Sequence, residues 1–315
     1  MLTYLARRAL VLLVTLLLAS LVIFFVLDIL PGDAALLILG IEAQDDTLAA
    51  LRTQMGLDRP AVIRYLAWVG GLASGTTGIS HTYGVPVSQL IGERLALTVP
   101  LAFFALALSI LIAIPLGMLA ATRRGRPGDY GVMGFSQVGM AIPNFWFAIL
   151  SILIFAVALG WFPASGFPGW DAGPGTALWA LVLPALSLAL PEAAILARVT
   201  RTSVLDTLGA DYVRTARAKG LASRRVLWGH VLRNALIPMI TIIGLQFAFL
   251  LAGSIVIEVV FALPGVGRLV FQAVSQRDLV VLRDVILLLV ALVVVVNFLV
   301  DIATTAIDPR TRHAP

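Results

Sequence analysis

The chain has 315 residues, of which 60% are hydrophobic and 12% charged, with a net charge of +5; its mean hydropathy is +1.01. A soluble domain sits nearer about 45–50% apolar and about 25% charged, so a soluble globular protein is excluded and an integral membrane protein is expected. With no cysteine, disulfides and thiolate metal sites are excluded as well, and in a membrane chain the basic excess reports topology rather than nucleic-acid binding.

Six spans are expected, each built on an apolar run that reaches or approaches the roughly 20 residues a bilayer crossing needs. The first, Ala9–Leu27, follows Arg7 and Arg8 and is closed by Asp28. It is longer than the about 7–15 residues of a signal-peptide core and is followed by no small-x-small cleavage site, so it reads as an uncleaved anchor. Pro31–Leu97 is a long polar segment carrying Glu42, Asp45, Asp46 and Asp58, with short helices expected around Asp46–Gln54 and Ala61–Gly70. The second span is Thr98–Ala121 and the third Val132–Leu159. Gly160–Thr176 is too rich in Pro and Gly for helix. The fourth span is Ala177–Val199 and the fifth Ala235–Ile257. Ala262–Arg283 opens on the turn ALPGVGR and continues into a short amphipathic helix, and the sixth span, Val285–Val300, extends toward Ile307. The outer segments gate a pathway, receive a soluble partner, or simply seal the ends of a bundle.

Cations orient the spans. With the N-terminus inside, the inner segments hold Arg7, Arg8, Arg123, Arg124, Arg126, Arg198, Arg201, the cations of 211–238, Arg310 and Arg312. Basic residues are retained on the cytoplasmic side, so both termini are expected there.

Within the spans, Ala105, Ser109, Ala113, Gly117 and Ala121 recur every four residues in the second, and Gly244, Ala248 and Ala252 in the fifth. Small residues on one face let helices approach closely in lipid. Pro115, Pro143, Pro184 and Pro191 each free a backbone carbonyl and are expected to kink or loosen their spans. Polar groups at depth are few: Asn144, Glu192 and Gln246, with Asp28, Glu258, Asp284, Asn297 and Asp301 near span ends. Asn144, Glu192, Gln246 and Glu258 are the candidates for a translocation path, with helix-to-helix ties as the other reading.

Catalysis is not expected. The histidines His81, His230 and His313 are scattered, and no HExxH or G-x-S-x-G motif occurs. The only lysine, Lys219, lies between Ala218 and Gly220, so the chain has no ATP-binding P-loop of its own. Energy for any pumping enters from another polypeptide or from an ion gradient.

One inner stretch is too elaborate for a connector. Asp211–Pro238 carries Arg214, Arg217, Lys219, Arg224, Arg225 and Arg233. Gly209 and Gly220 bracket a short helix whose acidic start and basic end match the helix dipole. Tyr212, Val213 and Ala216 share a small, partly apolar face, and Ser223 is placed to cap a second helix through Arg224–Leu236. Such a helix either docks into another protein or rests on acidic lipid headgroups.

YVRTARAKGL followed by VLWGHVLRNALIP resembles the coupling loop of ABC importer permeases, specifically the dipeptide/oligopeptide/nickel branch. The resemblance extends over nearly the whole chain: RRALVLLVTLLLASLVIFFVLDILPGDAA, MGLDRPAVIRYLAWVGGL, ERLALTVPLA, AIPNFW and FALPGVGRL stand in the branch's order. Thr76 stands where the branch commonly has Asp, Leu279 where it has Tyr, and Arg283 and Asp284 where it has small residues; Arg214-Thr215-Ala216 replaces the Glu-Ala-Ala of other importers.

The resemblance implies an all-α membrane protein with six transmembrane helices and cytoplasmic termini, in the bacterial inner membrane. It is one permease domain, 1–315: an anchor at 1–30, an outer loop region at 31–97, a five-helix core at 98–308 and a tail at 309–315. It implies a second six-helix permease subunit, two cytoplasmic ATPases that bind ATP and Mg, and an extracytoplasmic solute-binding protein. This chain itself holds no cofactor. The ATPases are expected on Tyr212, Val213, Arg214, Thr215, Ala216, Arg217, Ala218, Lys219, Gly220 and Leu221. Short peptides are the first expected solute; a nickel chelate, glutathione or another small solute, and a gradient-driven secondary transporter, are the alternatives.

Overall fold

A computed structural model describes residues 2–29, 36, 44–54 and 56–307. The PGD turn at 31–33, Glu42 and the tail at 309–315 lie outside the described residues. The first span is α1 (Leu2–Ile29), and the two short helices expected after it are α2 (Asp45–Gln54) and α3 (Ala61–Ala73). Helix α4 (Val87–Thr122) has 36 residues and begins well before the expected Thr98. At about 1.5 Å per residue it is near 54 Å long, against a hydrocarbon core of about 30 Å. Its first turns are amphipathic, burying Val87 and Leu90 while Ser88, Gln89 and Glu93 stay exposed. Hydropathy alone passes over such a segment.

The expected third span is not one rod. Helix α5 (Pro127–Ala141) and α6 (Asn144–Ser151), the latter prolonged by a wide π-type turn over Ile152–Ala158, meet at an angle of 101°. Pro143 cannot donate to the ladder and disfavours helical backbone at the residue before it; Ile142 is accordingly extended, at φ −86° and ψ 123°. The other prolines singled out behave differently: Pro115 lies inside continuous α4, and Pro184 and Pro191 inside continuous α7 (Pro174–Leu208). There follow α8 (Asp211–Ala218), α9 (Ser223–Arg225), a π-type turn over Val226–Val231, α10 (Leu232–Val260), α11 (Val266–Ser275) and α12 (Leu279–Ile307). Among the described residues five helices are long and apolar enough to cross a membrane, or six if the bent pair is one span.

Helix α7 is the centre. Of its most apolar stretch 72% is buried, against 17% for α1. Helices α4, α5, α6 and α10 pack around it, while α1 lies along α12 at the edge. The stripe Ala105, Ser109, Ala113, Gly117 and Ala121 is buried throughout, and a Cβ at Gly117 would overlap the Thr200 side chain of α7. The expected α10 stripe fares less well: Gly244 is pressed against Val300 of α12, but Ala248 is half-buried and Ala252 exposed. The small residue at the α6–α7–α10 junction is Gly253, whose missing Cβ faces Asn144 and Leu188 at 3.4 Å.

The segments outside the spans are tied down by buried acids. Asp278 accepts hydrogen bonds from Ser80 Oγ at 2.6 Å and the Thr82 N–H at 3.1 Å, and its other oxygen accepts from the Val281 N–H at 3.2 Å in the first turn of α12. Trp68 Nε1 donates to Asp284 at 2.7 Å, linking α3 to α12.

Candidate functional site

Helix α8 is a short post between two long helices. It is entered after Gly209 and left at Gly220, whose φ of +75° only glycine adopts without strain. Val213 and Ala216 are buried, and they pack with Met118 and Ala121 of α4, Val204 of α7, and Val226 and Val231 of the following turn. This corrects the expected face: Val213 and Ala216 are the seat of the helix on its own chain, not a surface offered outward. A lone eight-residue helix cannot hold its shape in water, so its apolar side is spent on that seat. The surface left outside is Tyr212, Arg214, Thr215, Arg217, Ala218, Lys219 and Gly220, with Leu221 half-buried. The ion pair of Arg214 with Asp211, 3.3 Å in full solvent, adds little.

The expected cap at Ser223 is not formed. Ala222, extended at φ −56° and ψ 136°, occupies the cap position, and Ser223 is already the first helical residue. The second helix expected through Leu236 is continuous: helical backbone runs from Ser223 through a π-type stretch at Val226–Val231 into α10. Arg224, Arg225, His230 and Arg233 are all exposed along it.

A second contact steadies this end of the bundle. Asp129, at the start of α5, accepts from Arg201 of α7 and from the Gly125 N–H at 2.9 Å. Arg201 was visible in the sequence only as one more inner cation. Its partner, lying among three arginines, carried no signal of its own.

The interior polar groups separate. Asn144 is half-buried at the break between α5 and α6. Glu192 and Gln246 are buried together, Gln246 Nε2 donating to the Glu192 backbone carbonyl at 2.8 Å, and Glu192 Oε2 and Gln246 Oε1 have no hydrogen-bond partner among the described residues. Glu258 is 0% exposed. Its carboxylate accepts from Thr98 Oγ1 at 2.7 Å and from the Arg268 N–H at 3.1 Å, while Thr98 Oγ1 accepts from the Val266 N–H at 2.8 Å. This is a cap for α11, whose free N–H groups need acceptors. Glu258 is therefore placed in the chain's own packing and not on an open path. The clue lay in Gly265 and Gly267: a Cβ at Gly265 would overlap the carboxylate.

The chain matches two family models along its length. "Binding-protein-dependent transport system inner membrane component" covers residues 113–313, and the N-terminal model of the same transport systems covers residues 1–102. A Brucella abortus protein named as a peptide transport system permease is 43% identical over 94% of this chain and 95% of its own length. The oligopeptide transport system permease of Bacillus subtilis is 38% identical over 99% of this chain and all of its own. The glutathione transport system permease of Salmonella choleraesuis is also 38% identical, over 99% of this chain and all of its own. In fold, a chain of the methionine ABC transporter solved facing inward superposes with a TM-score of 0.59 at 20% identity, over 70% of this chain and 97% of that one. The chain belongs to the binding-protein-dependent transport system inner membrane components, the permease subunits of ABC transporters.

Proposed function

We propose that this chain is one membrane half of an ATP-driven, binding-protein-dependent importer of short peptides in the bacterial inner membrane. The observation that carries the reading is α8: a helix seated on α4 and α7 by Val213 and Ala216, with Tyr212, Arg214, Arg217 and Lys219 left outward for a partner. The relatives named for peptide and oligopeptide transport support the solute class. In this reading the bent pair α5–α6 counts as one of six spans, and both termini and α8 lie in the cytoplasm.

A second six-helix permease completes the path, two ATPases hold ATP and Mg, and a solute-binding protein delivers from the outside. Closure of the ATPases on ATP pushes α8, and the apolar cluster of Met118, Val204, Val213 and Val231 passes that motion to α4, α7 and α10. Glu192 and Gln246, with carbonyl and carboxylate oxygens left without partners, and half-buried Asn144 are the polar groups best placed to meet solute as the path opens. The relative named for glutathione transport favours a second solute, itself a short peptide.

The test is uptake of a labelled dipeptide into liposomes holding this chain with the subunits that co-purify with it. Uptake that needs ATP and survives an uncoupler is expected. Uptake that ignores ATP and collapses with the uncoupler would replace the importer by a gradient-driven carrier.

A further inference from the structure

Away from α8, a cavity of about 700 Å³ lies between α1, α3, the segment 74–86 and the start of α12, within the size range of small-molecule sites. Arg59, Arg64 and Arg283 line it. The carboxylate on its wall, Asp28, pairs with Arg64 at 2.7 Å. Asp284 accepts from Trp68 at 2.7 Å through the same oxygen that pairs with Arg283 Nε at 3.7 Å, a distance too long for a hydrogen bond. Among the described residues, the Nε groups of Arg64 and Arg283 are both buried without a hydrogen-bond acceptor.

The two guanidiniums flank one ring: they lie 6.0 and 5.8 Å from the centre of Phe24, and Arg283 lies 4.5 Å from that of Trp68. Ring faces hold the guanidinium carbons, but they accept no N–H bond of the strength an oxyanion does. Leaving such donors unmade in a low-dielectric wall is costly. An anion with several oxygens would satisfy both.

The rest of the cavity says which anion. Its other wall is apolar, including Leu27, Ala67 and Val280, with Ile63 and Ile79 exposed at its edge. It sits where α1 ends and α12 begins, at the level where two lipid-facing helices meet the polar zone. Thr76 and Leu279 complete the lining beside Arg283. We infer that this cavity is a phospholipid site: the phosphodiester of an anionic lipid sits between Arg59, Arg64 and Arg283, and its glycerol and upper acyl chain lie along the apolar wall. Arginine forks match phosphate oxygens bidentately, and three guanidiniums against two carboxylates, Asp28 on the wall and Asp284 beside Arg283, leave a net positive charge that selects an anion.

The experiment is native mass spectrometry of the purified full-length chain after incubation in detergent micelles doped with phosphatidylglycerol or phosphatidylcholine, with inorganic phosphate or a dipeptide as competitor. Retention of phosphatidylglycerol above phosphatidylcholine is expected, with no displacement by phosphate at matched concentration. Arg59→Gln removes an exposed charge, and Ala67→Phe fills the cavity from an exposed position; neither disturbs a buried contact. Arg59→Gln is expected to weaken phosphatidylglycerol retention about tenfold, as loss of one charge-assisted contact does, and Ala67→Phe to weaken it by taking the space of the acyl chain. Equal retention in wild type and both variants would overturn the site. Complete displacement by phosphate would make it a free-anion site, and displacement by dipeptide a solute site; either result overturns the lipid assignment.

Discussion

Arg201 holds the Asp129 carboxylate with both arms, Nε to Oδ1 at 2.6 Å and Nη2 to Oδ2 at 2.8 Å, and so fastens the start of α5 to α7 two turns before Gly209. The acid is 5% exposed and the arginine 23%, so the pair is neither a screened surface contact nor a fully dehydrated one. Asp129→Asn or Arg201→Lys, which breaks the fork, should each cost about 1–3 kcal/mol. Thermal unfolding of the detergent-solubilised chain reads this directly, and unchanged midpoints in both variants would show the clamp to be idle.

Gly220 ends α8 with φ +75°. Alanine there costs about 1–2 kcal/mol of left-handed strain, whereas proline cannot reach the conformation at all. Gly220→Pro is therefore expected to insert normally but to lose uptake and solute-stimulated ATP hydrolysis, with Gly220→Ala between it and wild type. Full uptake in the proline variant would remove α8 from the coupling path.

Ala216 and Tyr212 stand one turn apart on α8 but differ in burial: the first is 7% exposed and the second 45%. Ala216→Trp overpacks the seat by about 1–3 kcal/mol and should lower the chain's own thermal stability. Tyr212→Ala should leave that stability within about 0.5 kcal/mol while reducing co-purification of ATPase subunits. If both variants lost stability alike, or neither lost the partner, the assignment of Ala216 to the seat and Tyr212 to the partner would be wrong.

Glu258 and Thr98 close the turn between α10 and α11. Thr98→Val leaves the Val266 N–H and one carboxylate oxygen without a partner, at about 1–3 kcal/mol each. Limited proteolysis is expected to open 262–278 in Thr98→Val ahead of the rest of the chain. Identical cleavage rates would show the cap to be dispensable.

Because the chain has no cysteine, single introduced thiols give an unambiguous map of sidedness. A membrane-impermeant maleimide should label Asp171→Cys in intact spheroplasts and Lys219→Cys only after permeabilisation; both positions are exposed. The reverse pattern would invert the topology and place α8 on the wrong side for an ATPase.

Composition and the apolar runs of the sequence were enough for a helical membrane protein, for five of its long helices and for the short helices at Asp45–Gln54 and Ala61–Ala73, since apolar length and turn residues are local properties. The α4 stripe was legible for the same reason: four-residue spacing puts small side chains on one face whatever they meet. Pro143 was named as a breaker, yet nothing local distinguished it from Pro115, Pro184 or Pro191, which α4 and α7 absorb within continuous helices.

What tertiary structure alone decided is the direction in which a face is spent. Val213 and Ala216 looked like a surface for a partner because helical spacing shows that residues share a side but not what lies opposite. Met118, Val204 and Val231 lie opposite, from three separate elements. Glu258 looked like a group for a pathway until Thr98 and the N–H groups of α11 supplied its donors. Asp129 and Arg201 stand 72 residues apart. A buried charge needs a partner within a few ångströms, and which partner arrives there is determined by how the helices pack, not by any property of the residues nearby in sequence.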